Sequence, residues 1–166
     1  MGVPRHIVVM GVSATGKTTI GVGIAERLGM TFIEGDSFHP KANIEKMSAG
    51  IPLDDDDRRP WLQALAKEIQ RSDRAGISTV TACSALRRIY RDWLREGARE
   101  LFFIHLHTDF EILRERVEKR QHFMPPSLLQ SQFDTLELLE AGEAGAMIDD
   151  SMTFDEVLEA SLAAFG

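Results

Sequence analysis

A single cysteine, Cys83, is all the thiol chemistry in this chain of 166 residues. An internal disulfide is therefore excluded, and a lone thiol with no paired cysteine ligand fits a reducing compartment better than secretion. Long apolar runs are missing as well. The stretch nearest the N-terminus covers only residues 7–10 before Gly11 interrupts it, far short of the ~20 residues that span a bilayer, and nothing there reads as a signal peptide. A soluble, cytoplasmic protein without a membrane partner is expected. Basic charge is in deficit, with 19 Lys and Arg against 26 Asp and Glu, a net charge of −7 and a pI near 5.2. Extended nucleic-acid contact is thereby disfavoured, because phosphodiester backbones select basic surfaces. Small anions are not excluded, since arginines cluster at Arg58 and Arg59, at Arg87 and Arg88, and at Arg114, Arg116 and Arg120. Repeats and low-complexity linkers are also lacking, and a single domain over residues 1–166 is expected.

Against these absences stands the octapeptide GVSATGKT at residues 11–18, directly after the apolar IVVM and before a helical pattern. It matches G-x-x-x-x-G-K-[ST], in which glycines let backbone N–H groups curl around phosphate oxygens, a lysine reaches the terminal phosphates and a hydroxyl binds magnesium. The bland alternative, a simple strand-to-helix turn, would not require this combination. Phosphate binding is the working premise.

The remaining pattern alternates strands with helices. Residues 5–10 read as a buried strand, and Ile20, Ile24 and Leu28 mark one face of a helix over 17–28. Gly21 and Gly23 inside it are unfavourable for a helix and imply close packing on a sheet. A short strand at 31–34 leads to GDSFHP, and Pro40 opens a helix over 40–49. Trp61, Leu65 and Ile69 give a helix over 58–72, preceded by the acidic run 54–57, which reads as a solvated loop. Strands follow at 77–81, 101–106 and 146–148, with helices at 86–95, from Thr108 to about 120, and at 127–139. Thr108 with Glu111 and Thr153 with Glu156 have capping-box spacing. Such alternation predicts an α/β fold with a mostly parallel sheet and ligands at the carboxyl ends of its strands.

Two segments at those ends hold the chemistry. In EGDSFHP, Asp36 is the candidate base that would align a substrate hydroxyl with the γ-phosphate, and Glu34 could hold a magnesium-bound water. An ordinary turn aspartate capping the next helix is the alternative for Asp36. The third strand ends in Ala82 and Cys83, with no Walker B acid. That disfavours motor and switch NTPases and suits small kinases whose magnesium shell is mostly the loop hydroxyl and water. His105 and His107 share a strand face, but with no third ligand in view a metal site is not expected there.

Four segments together resemble the gluconokinases, small P-loop kinases that phosphorylate D-gluconate at its 6-hydroxyl with ATP. They are GVSATGKTT (11–19), EGDSFHPKANIEKMSAGIPLDDDDRRPWL (34–62), ACSALRRIYRDWLR (82–95) and RVEKRQHFMPPSLLQSQFDTLE (116–137). The middle two are the more diagnostic. The resemblance implies a P-loop NTPase, nucleoside-monophosphate-kinase-like fold with a five-stranded parallel sheet flanked by helices. It also implies a mobile lid at about 119–130, ATP and Mg²⁺ as cofactors, and a homodimer. Gly11, Val12, Ser13, Ala14, Thr15, Gly16, Lys17, Thr18 and Thr19 would hold the nucleotide, with Lys17 bridging its β- and γ-phosphates and Thr18 on Mg²⁺ with Glu34. Arg116 and Arg120 look like the adenine-stacking and phosphate-clamping arginines of related kinases, Arg120 with a catalytic role. Asp36, His39, Arg58 and Ser84 would line the gluconate site, Arg58 pairing with its carboxylate, with Lys46, Arg88 and Arg91 as further candidates. His122 and Met124 would pack the lid hinge.

The chain departs from the family at Ala14, where its phosphate loops usually carry glycine. If that position takes a positive φ, alanine strains the loop and weakens ATP binding relative to an Ala14→Gly variant. Two other functions compete with gluconate phosphorylation. A kinase for another hydroxy acid such as shikimate would usually carry a glycine run after the third strand, which Ala82-Cys83-Ser84 is not. A non-catalytic nucleotide-binding regulator would be expected to lack a lysine or carboxylate, yet Lys17, Thr18 and Asp36 are present.

Overall fold

The computed structural model describes residues 2–119 and 126–166. Its centre is the strand His6–Met10 (β1), which is buried along its whole length. Ile7 and Val9 enter one core and Val8 and Met10 the other, the two-residue period of a strand covered on both faces. Around it lie Thr31–Glu34 (β2), Thr79–Ala82 (β3), Leu101–His107 (β4) and Gly145–Asp149 (β5), in the order β2-β3-β1-β4-β5. Every pairing is parallel. Consecutive strands therefore need crossovers, and the helices supply them: Lys17–Leu28 (α1), Lys41–Ser48 (α2), Asp55–Arg74 (α3), Arg88–Arg95 (α4), Phe110–Lys119 (α5), Pro126–Thr135 (α6) and Phe154–Phe165 (α7). This is the P-loop kinase arrangement, with all five strand ends opening on one edge.

The helical glycines are a packing device. A Cβ on Gly21 would lie 2.8 Å from the Phe32 ring, and one on Gly23 would lie 3.3 Å from Leu158 and Phe154. The Thr153–Glu156 capping box forms.

Several boundaries differ from the sequence expectation, each for a local reason. The acidic run 54–57 is not a loop: Asp54 caps α3 and Asp55–Asp57 make its first turn, where unpaired N–H groups favour carboxylates. Helix α5 starts one residue later than a Thr108 cap would give, because the Asp109 carbonyl takes the N–H groups of Ile112 and Leu113. Helix α6 ends at Thr135 rather than 139, since the next residues are drawn away to α4: Glu137 N–H donates to the Leu86 carbonyl, and Arg91 grips the carbonyls of Glu137 and Leu138. Helix α4 begins at Arg88 rather than 86, after Ala85 turns the chain with φ +45°. Of the proposed lid, residues 120–125, with Arg120, His122 and Met124, lie outside the described residues. No described helix is long and apolar enough to cross a membrane.

Candidate active site

The phosphate loop joins β1 to α1. Gly11 has φ +145°, and a Cβ there would come within 2.5 Å of the Leu106 carbonyl oxygen, so the loop's first turn admits only glycine. Gly16, with φ +80°, is the N-cap of α1; no side chain caps that helix and its first turn has no acidic residue. The N–H groups at a helix N-terminus favour an anion. Ala14 has φ +70°, the left-handed conformation its sequence position raised in question. The Val12 carbonyl accepts from Thr15 Oγ1 at 2.8 Å and from Lys17 Nζ at 3.0 Å, folding the lysine back over the loop. Gly11 N–H donates to the Ser84 carbonyl at 3.2 Å, tying the loop to the segment after β3.

Two carboxylates flank this loop from the end of β2. Thr18 Oγ1 donates to Glu34 Oε2 at 2.5 Å, and the other Glu34 oxygen accepts the Asp36 N–H at 3.4 Å. A hydroxyl and a carboxylate in contact form a hard-oxygen pair that fits Mg²⁺, an ion that keeps several waters and takes few protein ligands. Among the described residues no group of three or more His, Cys, Asp or Glu could make a dedicated metal cage. Asp36 itself projects outward, its side chain 80% exposed.

Beyond Asp36 the loop and the candidate acceptor residues share one cleft of about 370 Å³, lined among others by Lys17, Asp36, His39, Arg58, Ser84 and Gln132. The His39 ring stacks on Trp61, whose Nε1 donates to the Gly35 carbonyl at 2.8 Å. Asn43 Nδ2 donates to the Asp57 carbonyl at 2.9 Å and meets His39 Nδ1 at 3.2 Å. As an amide nitrogen only donates, His39 Nδ1 must accept, and the ring proton sits on Nε2, which lies 3.9 Å from Asp36 Oδ1. Burial, with the nearby Arg58 charge, pushes His39 down to about 4, so the ring is neutral at pH 7. Arg58 is buried, and one of its Nη donors goes to the Tyr90 hydroxyl at 2.9 Å. Tyr90 donates onward to Asp55, which also accepts from Arg87 at 2.6 Å. The guanidinium is thereby fixed at the cleft wall, where a guanidinium can pair with a carboxylate.

Three of the candidate cations stand elsewhere. Arg91 is wholly buried and spends its donors on Glu143 at 2.7 Å and 3.0 Å and on the carbonyls of Ala85, Glu137 and Leu138, so it does not reach the cleft. Arg88, which also does not line the cleft, pairs with Asp92 and Glu140. Lys46 is held by Asp57 at 2.8 Å and ties α2 to α3. Arg116 lies against the phosphate loop, Nη1 donating to the Ala14 carbonyl at 3.1 Å.

Sequence reasoning missed the contribution of α6. Gln132 Oε1 accepts the Ser13 N–H at 2.7 Å, and Leu128 and Ser131 complete that wall of the cleft. The signal was present in QSQF, where Gln132 sits one residue before the core-facing Phe133, but nothing local distinguishes it from a solvated glutamine. The apolar wall formed by Ile44, Met47 and Ile51 was also missed.

The AAA domain family matches residues 7–139. The chain is 47% identical to the gluconokinase of Gluconobacter oxydans (strain 621H), over 94% of this chain and 88% of that protein. An unliganded sugar kinase from Janibacter sp. HTCC2649 has a TM-score of 0.94 to it at 48% identity, covering 98% of this chain and 94% of that one. A gluconokinase from Sinorhizobium meliloti 1021 has a TM-score of 0.89 at 46% identity, covering 99% and 93%. With sequence and fold alike over nearly the full length, the chain belongs to the gluconokinase family.

Proposed function

We propose that this protein transfers the γ-phosphoryl group of ATP to the 6-hydroxyl of D-gluconate, giving 6-phospho-D-gluconate and ADP. The observation that carries this reading is the single cleft holding both Lys17 of the phosphate loop and the Asp36, His39 and Arg58 group. The loop's N–H groups and Lys17 bind the phosphates at one end. At the other, Arg58 pairs with the gluconate carboxylate, and neutral His39 donates from Nε2 to a hydroxyl. Asp36 accepts a hydrogen bond from the 6-hydroxyl and aligns its oxygen with the γ-phosphorus; because phosphoryl transfer is largely dissociative, alignment matters more than early proton removal. Thr18 and Glu34 are the residues that would hold Mg²⁺, which neutralises charge on the β- and γ-phosphate oxygens when bound. Arg120 and the segment 119–130 act as clamp and lid, excluding water that would hydrolyse ATP. The family resemblance supports a cytoplasmic homodimer, which light scattering on the purified protein tests.

A coupled assay for ADP across aldonic acids and shikimate tests the substrate. Turnover with gluconate well above that with shikimate is expected. No ADP production at millimolar gluconate overturns the reading.

A further inference from the structure

Among the described residues only Ala14 and Ala85 combine a side chain with positive φ, and Ala14, at +70°, lies in the middle of the phosphate loop. The Cβ of an L-residue disfavours that conformation, so something must hold it. The carbonyl of Ala14 accepts from Arg116 Nη1 at 3.1 Å. The same Nη1 donates to Asp150 Oδ2 at 2.6 Å, while Nη2 donates to the Asp150 carbonyl at 2.8 Å. One residue thus fixes both the position and the plane of the guanidinium. Asp150 follows directly on β5, and its own N–H donates to the His107 carbonyl at 2.9 Å, extending the sheet ladder by one bond. Its side chain is only 5% exposed. A continuous path of hydrogen bonds therefore runs from the sheet through Asp150 and Arg116 to the peptide that follows the strained alanine. That peptide cannot rotate without losing the Arg116 bond.

We propose that Asp150 is a positioning residue that, through Arg116, holds Ala14 of the phosphate loop in its left-handed conformation. The proposal rests on the reading of residues 11–18 as the ATP-binding loop. A glycine at position 14 adopts positive φ unaided, so the anchor matters because this chain carries alanine there.

A double-mutant cycle tests it, with a magnesium complex of a non-hydrolysable ATP analogue titrated calorimetrically into wild type, Asp150→Asn, Ala14→Gly and the double variant. Asp150→Asn is expected to weaken binding about five- to ten-fold when Ala14 is present, the scale of one disfavoured left-handed residue, and less than about two-fold in the Ala14→Gly background. The KM for gluconate stays within about two-fold throughout, which a general loss of structure would not give. Asp150→Glu goes through the same cycle, with thermal unfolding to show that each variant is folded. An equal loss in both backgrounds, or none when Ala14 is present, overturns the proposal. A wild-type chain that binds no nucleotide overturns the reading of the loop instead, and the proposal falls with it.

Discussion

The imidazole of His39 lies on the indole of Trp61 with ring centroids 3.9 Å apart and planes 19° from parallel. Trp61 stands on α3 and His39 follows the turn after β2, so this stack joins the acceptor end of the cleft to the helix that also carries Arg58. Loss of the His39 Nε2 donor is expected to raise the gluconate KM about ten-fold in His39→Leu with a smaller change in kcat, the scale of one lost hydrogen bond. His39→Gln, whose amide nitrogen reaches a similar place, recovers part of the loss. Steady-state kinetics at saturating ATP measure this; an unchanged KM in His39→Leu removes the contact.

The same histidine makes folding pH-dependent. Burial keeps it neutral down to about 4 in the folded chain, whereas in the unfolded chain it takes up a proton near 6.5. The unfolded state therefore binds more protons between these values, and stability falls as the pH drops from about 6.5 to about 4. Urea denaturation across that interval should show a shallower fall for His39→Gln than for wild type.

Asp36→Asn retains the shape of the turn but loses the anionic acceptor for the substrate hydroxyl. A fall in kcat of about 10² to 10⁴ is expected, with nucleotide binding unchanged by calorimetry. A variant with near-normal kcat would remove Asp36 from the reaction.

Thr18 and Glu34 touch across 2.5 Å, beside the phosphate loop. If they share the magnesium shell, Glu34→Gln raises the Mg²⁺ concentration for half-maximal rate about ten-fold, on the scale of a lost outer-shell partner. Metal titrations at fixed ATP measure the shift, and superimposable curves for wild type and variant would exclude Glu34.

Glu143 accepts from Arg91, Arg95 and the Glu140 N–H; burial pushes its carboxyl up, but these bonds outweigh it and hold the group at about 2. In the unfolded chain it titrates near 4.5, so its contribution is complete above that value and is lost as the pH falls toward 2. Glu143→Gln leaves Arg91 buried without its counter-charge and should cost about 3 kcal/mol at pH 7 in urea denaturation. The gluconate KM of the folded variant should be unchanged, since neither residue lines the cleft.

The phosphate loop, the strand–helix alternation and the paired acids at the end of β2 were legible because each depends on neighbours in sequence: glycines at turns, apolar residues at fixed periods, carboxylates two positions apart. Helix ends were less so. That of α4 follows a positive-φ turn at Ala85, and that of α6 was set by residues 137 and 138 being held by Arg91, a contact over more than forty positions that no local pattern encodes.

The sequence alone carried the phosphate-loop pattern at residues 11–18 and, through its longer motifs, the resemblance to one family of kinases, because spacing in a loop or on one helix face is fixed by backbone geometry. Only the tertiary structure placed each cation in or away from the cleft. Arg58 lines it, while Arg91, equally charged and equally close to a motif, is consumed by Glu143 inside the core. The difference lies in what packs around each guanidinium, because a buried charge must be paired where it lies.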